Sequence, residues 1–362
     1  MFNILLNFII LLSKFIYLEG KKDLFDETQY KYMEMKNRVF KGAIVDYESW
    51  ENEQLTEKYY QRYEKYSKAE IGAIITGCIL VEPNEDFQIP RIDKDEYIPG
   101  FKKLTDMFHK NGENIIAQIS IIKENDLNDL SKEELNDMIN LFADAAERCK
   151  KAGFDGLEIG ANHHGLLSQY LSPMFNHRTD EYGGNDENRA RLVIEIIKKI
   201  RERIGNEYII ILKINSEDND PNGITPEGFI TACKMAEKAG VDMIEVTGMK
   251  WKKNRENKLV YFDIGKTLAD ILKIPIIITG GAKDLNVIND ALNNSNIQYI
   301  GICRALLMEP YILIRWKNCD DRKSQCVGCM KCDEFENQKE VECIINKIKK
   351  KNKFNKVNKS FK

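Results

Sequence analysis

Eight short runs rich in Ile and Val, each followed by a longer charged stretch, limit the folds open to this chain more than any other feature. The runs are Val39–Ile44, Gly72–Val81, Asn114–Ser120, Gly153–Ile159, Tyr208–Asn215, Val241–Thr247, Pro275–Gly280 and Gln298–Cys303. Such nearly unbroken apolar runs suit parallel strands buried on both faces. The stretches between them, among them Glu133–Ala152, Asn188–Ile204 and Pro226–Ala239, read as amphipathic helices. Strand and helix in strict alternation predict repeated βα units. Eight units fit an α/β fold of the (β/α)8 TIM-barrel class, whose usual size is about 250 residues. A doubly wound sheet uses fewer strands and places a G-x-G-x-x-G turn after the first. No such turn follows Val39–Ile44.

With 43% hydrophobic residues the 362-residue chain can bury a full core, and a net charge of −3 gives no general attraction to nucleic acid. Nine cysteines in a chain this long do not form the dense framework of a small secreted domain. Four of them fall within Cys326–Cys343, the pattern of metal ligands or redox thiols, and a cytoplasmic location is expected. Phe2–Leu18 is largely apolar but broken by Asn3, Asn7, Ser13 and Lys14. As a helix it would span roughly 26 Å, short of a ~30 Å hydrocarbon core. No Lys or Arg precedes it, so it makes a poor signal peptide. A membrane anchor and an upstream segment from a misplaced start both remain open, and membrane contact is expected only in the first case. The predicted organisation is an extension over 1–22, the barrel over 23–318, a cysteine segment over 319–343 and a solvated Lys/Asn-rich tail over 344–362.

The carboxyl ends of barrel strands are where this fold does chemistry. After the fourth run stand two adjacent imidazoles, His163 and His164, half of the four histidines in the chain. They are the candidate catalytic pair, against the alternative of a plain helix cap. The seventh run ends on Gly280 and Gly281, and the eighth on Cys303 and Arg304. Glycines let backbone N–H groups approach an anion, and a guanidinium clamps phosphate through two hydrogen bonds. Loops after strands seven and eight commonly hold phosphate in this barrel, so a phosphate site is predicted there rather than a tight turn beside a surface charge.

Several motifs follow one another in a telling order: Lys36-Asn-Arg-Val-Phe-Lys41, Ala73-Ile-Ile-Thr-Gly77, Ile98-Pro-Gly-Phe-Lys-Lys-Leu104 with His109, Ala117-Gln118, the block from Leu171-Ser-Pro173 to Gly184, Glu187-Asn-Arg189, Thr279-Gly-Gly281 and Arg304-Ala-Leu-Leu307. In that order the chain resembles the Old Yellow Enzyme-like NADH:flavin oxidoreductases, near the 2,4-dienoyl-CoA reductase branch, over about Leu24 to Cys343. The resemblance implies FMN at the barrel mouth and NADH or NADPH as reductant. Position by position it implies that Gly42 and Ala43 line the isoalloxazine and that Cys78 contributes backbone near the ring. Gln118 would bond the pyrimidine edge, and Lys213 would stand beside N1 and O2, where a cation favours the reduced ring. Gly280, Gly281, Cys303 and Arg304 would hold the phosphate.

The chain departs from that family in three places. The family motif His-x-x-His/Asn-x-Tyr becomes Gly160, His163 and Gly165, so the tyrosine that protonates the substrate is missing and His164 intrudes. Losing a positioned acid typically costs 10²–10⁴-fold, unless His164 or water replaces it. After Gln118 the usual histidine and glycine are absent and the substrate loop is short. Finally, Cys326, Cys329, Cys332 and Cys343 are near, but not identical to, the spacing of iron–sulfur relatives. A [4Fe–4S] cluster, zinc and unmetallated thiols all suit them. The expected function is NAD(P)H oxidation through FMN with electrons passed to a small-molecule acceptor, an activated alkene among the candidates. The alternatives are a catalytically degenerate FMN- or phosphate-ligand-binding barrel and an electron-transfer subunit of a larger complex. The oligomeric state is left open, a homo-oligomer included.

Overall fold

The computed structural model describes residues 21–47, 49–84, 88–122, 126–249, 258–332 and 342–349. Eight strands form a closed barrel: β1 (Val39–Lys41), β2 (Ala73–Leu80), β3 (Ile115–Ser120), β4 (Gly156–Ala161), β5 (Ile209–Asn215), β6 (Met243–Thr247), β7 (Ile276–Thr279) and β8 (Tyr299–Ile302). They pair in parallel and in chain order, and Ile300 of β8 lies in register with Val39 of β1 to close the ring. All eight expected strands are present; most ends move by a residue or two, and two move by three. β1 stops at Lys41, because beyond Gly42 the chain bends away and Asp46 is held by Arg62 and by the Tyr63 hydroxyl. β4 begins at Gly156, because Gly153 sits at φ +87° in the turn that precedes it.

The main outer helices are α1 (Glu57–Tyr66), α2 (Ile98–His109), α3 (Lys132–Lys151), α4 (Leu166–Leu171), α5 (Asp186–Ile204), α6 (Pro226–Ala239), α7 (Phe262–Ile271), α8 (Leu285–Asn293), α9 (Arg304–Met308) and α10 (Ile312–Lys317). Their ends are written in the sequence. Ser131 and Glu134 form a reciprocal capping box at the start of α3. Thr225 caps α6 ahead of Pro226, and Gly240 ends that helix at φ +105°.

Side chains alternate in and out along each strand, so the barrel interior fills in layers. The lower layer is apolar: Phe40, Ile75, Ile116, Ile211, Met243, Ile277 and Tyr299 pack together with Met33 and Met35. Those two methionines come from a hairpin, Thr28–Tyr30 with Met33–Met35, that plugs the amino end. Two residues further along the strands, the same face presents Gly42, Gln118, Lys213, Glu245, Thr279 and Gly301, joined by Glu158 of β4, which is in register with Gln118. A polar layer thus rests on an apolar one inside a closed ring. Among the described residues no helix is long and apolar enough to cross a membrane. The 2–18 segment lies outside the described residues.

Candidate active site

The polar layer is the floor of a cleft at the carboxyl mouth of the barrel, with about 1290 Å³ of empty space counting its open side. Its wall includes Ala43, Gln118, His163, Lys213, Gly280, Gly281, Cys303 and Arg304, eight of the residues predicted for catalysis or cofactor binding. Gly42 lies just behind: a Cβ there would sit 2.4 Å from the Cys303 Sγ, so only glycine lets β1 and β8 meet this closely. Gly301 is equally enforced, because its Cβ would fall 1.6 Å from the Thr279 Oγ1. Small residues at these points keep the floor open for a flat ligand.

The floor is wired from strand to strand. The Gln118 amide N–H donates to the Thr76 hydroxyl at 3.0 Å, and its side-chain Nε2 donates to Glu158 Oε1 at 2.6 Å. Lys213 Nζ lies 2.8 Å from Glu245 Oε1, and both side chains are almost fully excluded from solvent. Burial alone would push the Lys213 ammonium down, but Glu245 and then Glu158 outweigh it and hold it above its ordinary value. Lys213 is therefore a fixed cation bordering the cleft. Burial and the neighbouring Glu245 push the Glu158 carboxyl well up, against the pull of Lys213.

At the far end, Gly280 and Gly281 adopt φ +142° and +90°. A Cβ on Gly281 would meet the Lys258 carbonyl at 2.0 Å, so no larger residue fits there. Arg304 closes this end, and its Nη1 also reaches the Met330 Sδ at 2.8 Å. That contact and the bond from Ser324 N–H to the Lys283 carbonyl at 2.7 Å press the cysteine segment onto the cleft, where Cys326, Gly328 and Cys332 join the wall. Together these residues suit a planar ligand with a hydrogen-bonding edge near Gln118 and Lys213 and an anionic end near Gly281 and Arg304, which is the chemistry of FMN.

The turn after β4 separates the two predicted catalytic histidines. His163 and His164 both take left-handed backbone angles, φ +52° and +60°, an uncommon pair for non-glycine residues. His163 turns to the cleft, its N–H donating to Asn215 Oδ1 at 3.1 Å and its Nε2 3.4 Å from the Thr247 hydroxyl. His164 is not among the cleft-lining residues. Its Nε2 lies 3.7 Å from Asp218 Oδ1, and its ring packs edge-on against Phe175 at 5.0 Å. Asp218 is itself buried and accepts from Ser172 Oγ at 2.6 Å. His164, expected from the sequence as one of the catalytic pair, thus stands beside the loop after β5 and not on the cleft wall. The Cys78 side chain packs with Leu80 and Ile89, and burial pushes its thiol up to about 12.

Cys326, Cys329, Cys332 and Cys343 border one small cavity beside Arg304 and Met330. Among the described residues no three His, Cys, Asp or Glu side chains converge as a metal site. The four thiols are gathered into one neighbourhood without being drawn into a coordination sphere.

Residues 23–125 and 119–321 match the family model for the NADH:flavin oxidoreductase / NADH oxidase family. The chain belongs to that family. It is 30% identical over 298 residues to the NADH-dependent flavin oxidoreductase nadA of Aspergillus parasiticus, covering 70% of this chain and 67% of that protein. It is 26% identical over 358 residues to the metal reductase of Desulforamulus reducens, covering 89% of this chain and 53% of that one. The chain thus spans about half the length of that relative. A solved 2-naphthoyl-CoA reductase complex superposes with a TM-score of 0.76 at 23% identity, over 86% of this chain and 54% of that one, and shows a shared fold. The resemblance drawn from motif order is borne out, and with it the barrel and the family's use of FMN with a reduced nicotinamide.

Reading the sequence missed Glu158, Glu245, Thr279 and Gly301 as parts of the site. The signal was available: Leu157-Glu158-Ile159 and Ile244-Glu245-Val246 each set a carboxylate inside an apolar strand, where an unpaired charge is unfavourable. Tyr47, Asn162 and Lys283, also on the wall, come from loops and carried no such signal.

Proposed function

We propose that this protein oxidises NAD(P)H through FMN bound in the mouth cleft and delivers the electrons to a small acceptor that needs no carbon-directed proton, such as a quinone or an oxidised metal complex, in preference to an activated alkene. FMN, when bound, accepts hydride from the nicotinamide and releases electrons to the acceptor. Gln118 and Lys213 would hold its pyrimidine edge, and Gly281 with Arg304 its phosphate. His163 would donate a hydrogen bond to an acceptor oxygen, since an imidazole carries a proton readily near neutral pH.

The observation that carries this reading is the β4 turn. Gly165 offers no side chain, and His164 faces Asp218. The acid that alkene reduction needs at this position is absent, while the floor that suits FMN is intact. One relative is named a metal reductase, which supports an acceptor of this kind. Anaerobic mixing of FMN-loaded protein with NADH or NADPH should bleach the flavin. Reoxidation should then be faster with a quinone or ferric complex than with an α,β-unsaturated ketone, and faster turnover with the ketone would overturn this choice of acceptor.

A second reading rests on the cysteines. Cys326 and Cys332 border both the cleft and the thiol cavity, so a metal cluster held by the four sulfurs would adjoin the FMN site. Iron and acid-labile sulfide in anaerobically purified protein, lost on replacing Cys329 and Cys332 with Ala, would support it. Metal-free, colour-unchanged protein would reduce the four to free thiols.

A further inference from the structure

Two carboxyl groups and one ammonium sit together in the floor. Glu158 and Glu245 have no exposed surface, and Lys213 is 2% exposed. Lys213 is committed to Glu245 at 2.8 Å. Glu158 Oε1 accepts from Gln118 Nε2, which leaves Glu158 Oε2 buried with no donor, and apart from the Lys213 ion pair the two Glu245 oxygens are likewise buried without a hydrogen-bond partner. That oxygen belongs to a carboxyl within hydrogen-bonding reach of Glu245. Two ionised carboxylates this close repel, and a buried acceptor without a donor is costly. One proton between them removes both problems.

We propose that Glu158 is a carboxylic acid at neutral pH, sharing its proton with the Glu245 carboxylate, and that it acts as a positioning residue for Gln118 and as the charge setting for Lys213 beneath the cleft. The inference rests on the FMN reading only for what the cleft holds, not for the proton itself. With Glu158 neutral, Lys213 and Glu245 cancel and the floor carries no net charge. With Glu158 ionised, the floor would carry a net negative charge under a ligand that already bears phosphate and gains charge on reduction. The acid also fixes an orientation. Gln118 must aim its NH₂ at Glu158 Oε1, so its carbonyl is left for the cleft and selects an N–H donor on the ligand edge.

The groups facing Glu158 and its partners are all accounted for among the described residues. They are Gln118 from β3, Lys213 from β5, Glu245 from β6, Thr279 from β7 and Cys303 after β8, with Lys41 of β1 acting on Lys213 from outside the ring. Burial and Glu245 push the Glu158 carboxyl up, while Lys213 holds Glu245 down against the opposing effect of burial. The assignment of the proton to Glu158 follows from geometry: the Lys213 ammonium stands 2.8 Å from Glu245 and keeps that carboxylate ionised.

Infrared spectroscopy of the full chain without added flavin, taken as the difference between wild type and variant, reads the proton directly. A carbonyl stretch of a protonated carboxylic acid, sensitive to exchange into D₂O, should be present in the wild type at neutral pH and absent from Glu158→Gln. It should also disappear in Glu245→Gln, because Glu158 then ionises to serve as the anion for Lys213. A wild-type spectrum without the band, or a band that survives Glu158→Gln or Glu245→Gln at full strength, overturns the proposal. Should Glu245→Gln fail to fold, Glu158→Gln decides alone. Thermal stability gives a second measure. A carboxyl raised on folding stabilises most below its unfolded value of 4.5, and that contribution is lost as pH rises through the folded value. The Tm of the wild type should therefore fall relative to Glu158→Gln between acidic and alkaline pH, and a constant difference would count against the proposal. The FMN dissociation constant should rise more in Glu158→Ala, which strips Gln118 of its acceptor, than in Glu158→Gln; equal rises would remove the positioning role. The band and the Tm slope are read without flavin, so a protein that ignores FMN yet shows both sinks the flavin reading and leaves this one standing.

Discussion

The two halves of the barrel mouth differ in how closely they keep to their family. On the side of β7, β8 and β1, Gly42, Gly280, Gly281 and Gly301 are fixed by contacts that a single Cβ would break, and Arg304 ends the cleft. On the β4 side, a motif that should carry two polar groups and a phenol carries Gly160, His163, His164 and Gly165, with both histidines in left-handed backbone. Backbone geometry enforces the first half. The second is set only by which side chains happen to project, and side chains can change without disturbing the ring. Cofactor binding and substrate chemistry in this barrel are therefore separable.

The largest test of that separation falls on the floor shared by both halves. Lys213→Met removes the cation from Glu245 and leaves a buried carboxylate unpaired, a change that usually costs about 3–5 kcal/mol. Urea unfolding should show a loss of that order, and FMN should bind more weakly. Unchanged stability would mean that Glu245 takes up a proton without penalty and that the ion pair is not what orders the floor.

Next comes a gain of function on the altered side. Gly165 has φ −62°, an angle any residue adopts, and a Cβ would meet only the Asn162 carbonyl at 3.2 Å. Gly165→Tyr restores a phenol where the family places its acid. Reduction of an α,β-unsaturated ketone should rise about 10²-fold, the low end of what a positioned acid supplies. Flavin reduction by NAD(P)H should stay as it was. No gain would show that the lost activity, if the ancestor had it, was lost elsewhere than at the acid.

The barrel was legible because its evidence is repeated eight times, and an error in one strand cannot disturb the count. The placement of Gly280, Gly281 and Arg304 on the cleft was legible for a related reason: they stand at strand ends, whose place in a barrel is known once the strands are. The roles of His163 and His164 were not. Adjacent in sequence, they are turned apart by two left-handed residues, and nothing in the residue types announces those angles. Glu158 and Glu245 were legible in principle, since a carboxylate inside an Ile-rich strand needs a partner, but the partner is found only when Lys213 is set in register with Glu245 on the neighbouring strand. At Cys78 the sequence pointed to backbone and not to the thiol; a bulge shifts the β2–β3 register between Ile75 and Cys78, and the thiol packs with Leu80 and Ile89.

Arg304→Ala probes the half that is kept. A hydrogen bond to a charged group contributes about 1.5–3 kcal/mol, so FMN affinity should fall roughly 10- to 100-fold while the apo barrel keeps its Tm. The variant has a second consequence through Met330 Sδ, which Arg304 touches. If the cysteine segment is pinned mainly by that contact, limited proteolysis between Cys319 and Cys343 should speed up along with flavin loss. Flavin loss with unchanged proteolysis would assign the pinning to Ser324 and its bond to the Lys283 carbonyl.

His163→Ala should have the smallest effect, and it tests the altered half without touching the floor. The imidazole meets the Thr247 hydroxyl at 3.4 Å, a long contact whose loss costs little at that partner. One hydrogen bond to an acceptor oxygen is worth about 0.5–1.5 kcal/mol, so reoxidation by a quinone should slow no more than about tenfold. An acceptor that draws its protons from water should show just this modest loss, with flavin reduction unaffected. A loss beyond 10²-fold would instead make His163 a true proton donor, the range expected of a positioned acid, and would return the β4 side of the mouth to the chemistry from which its missing tyrosine seemed to exclude it.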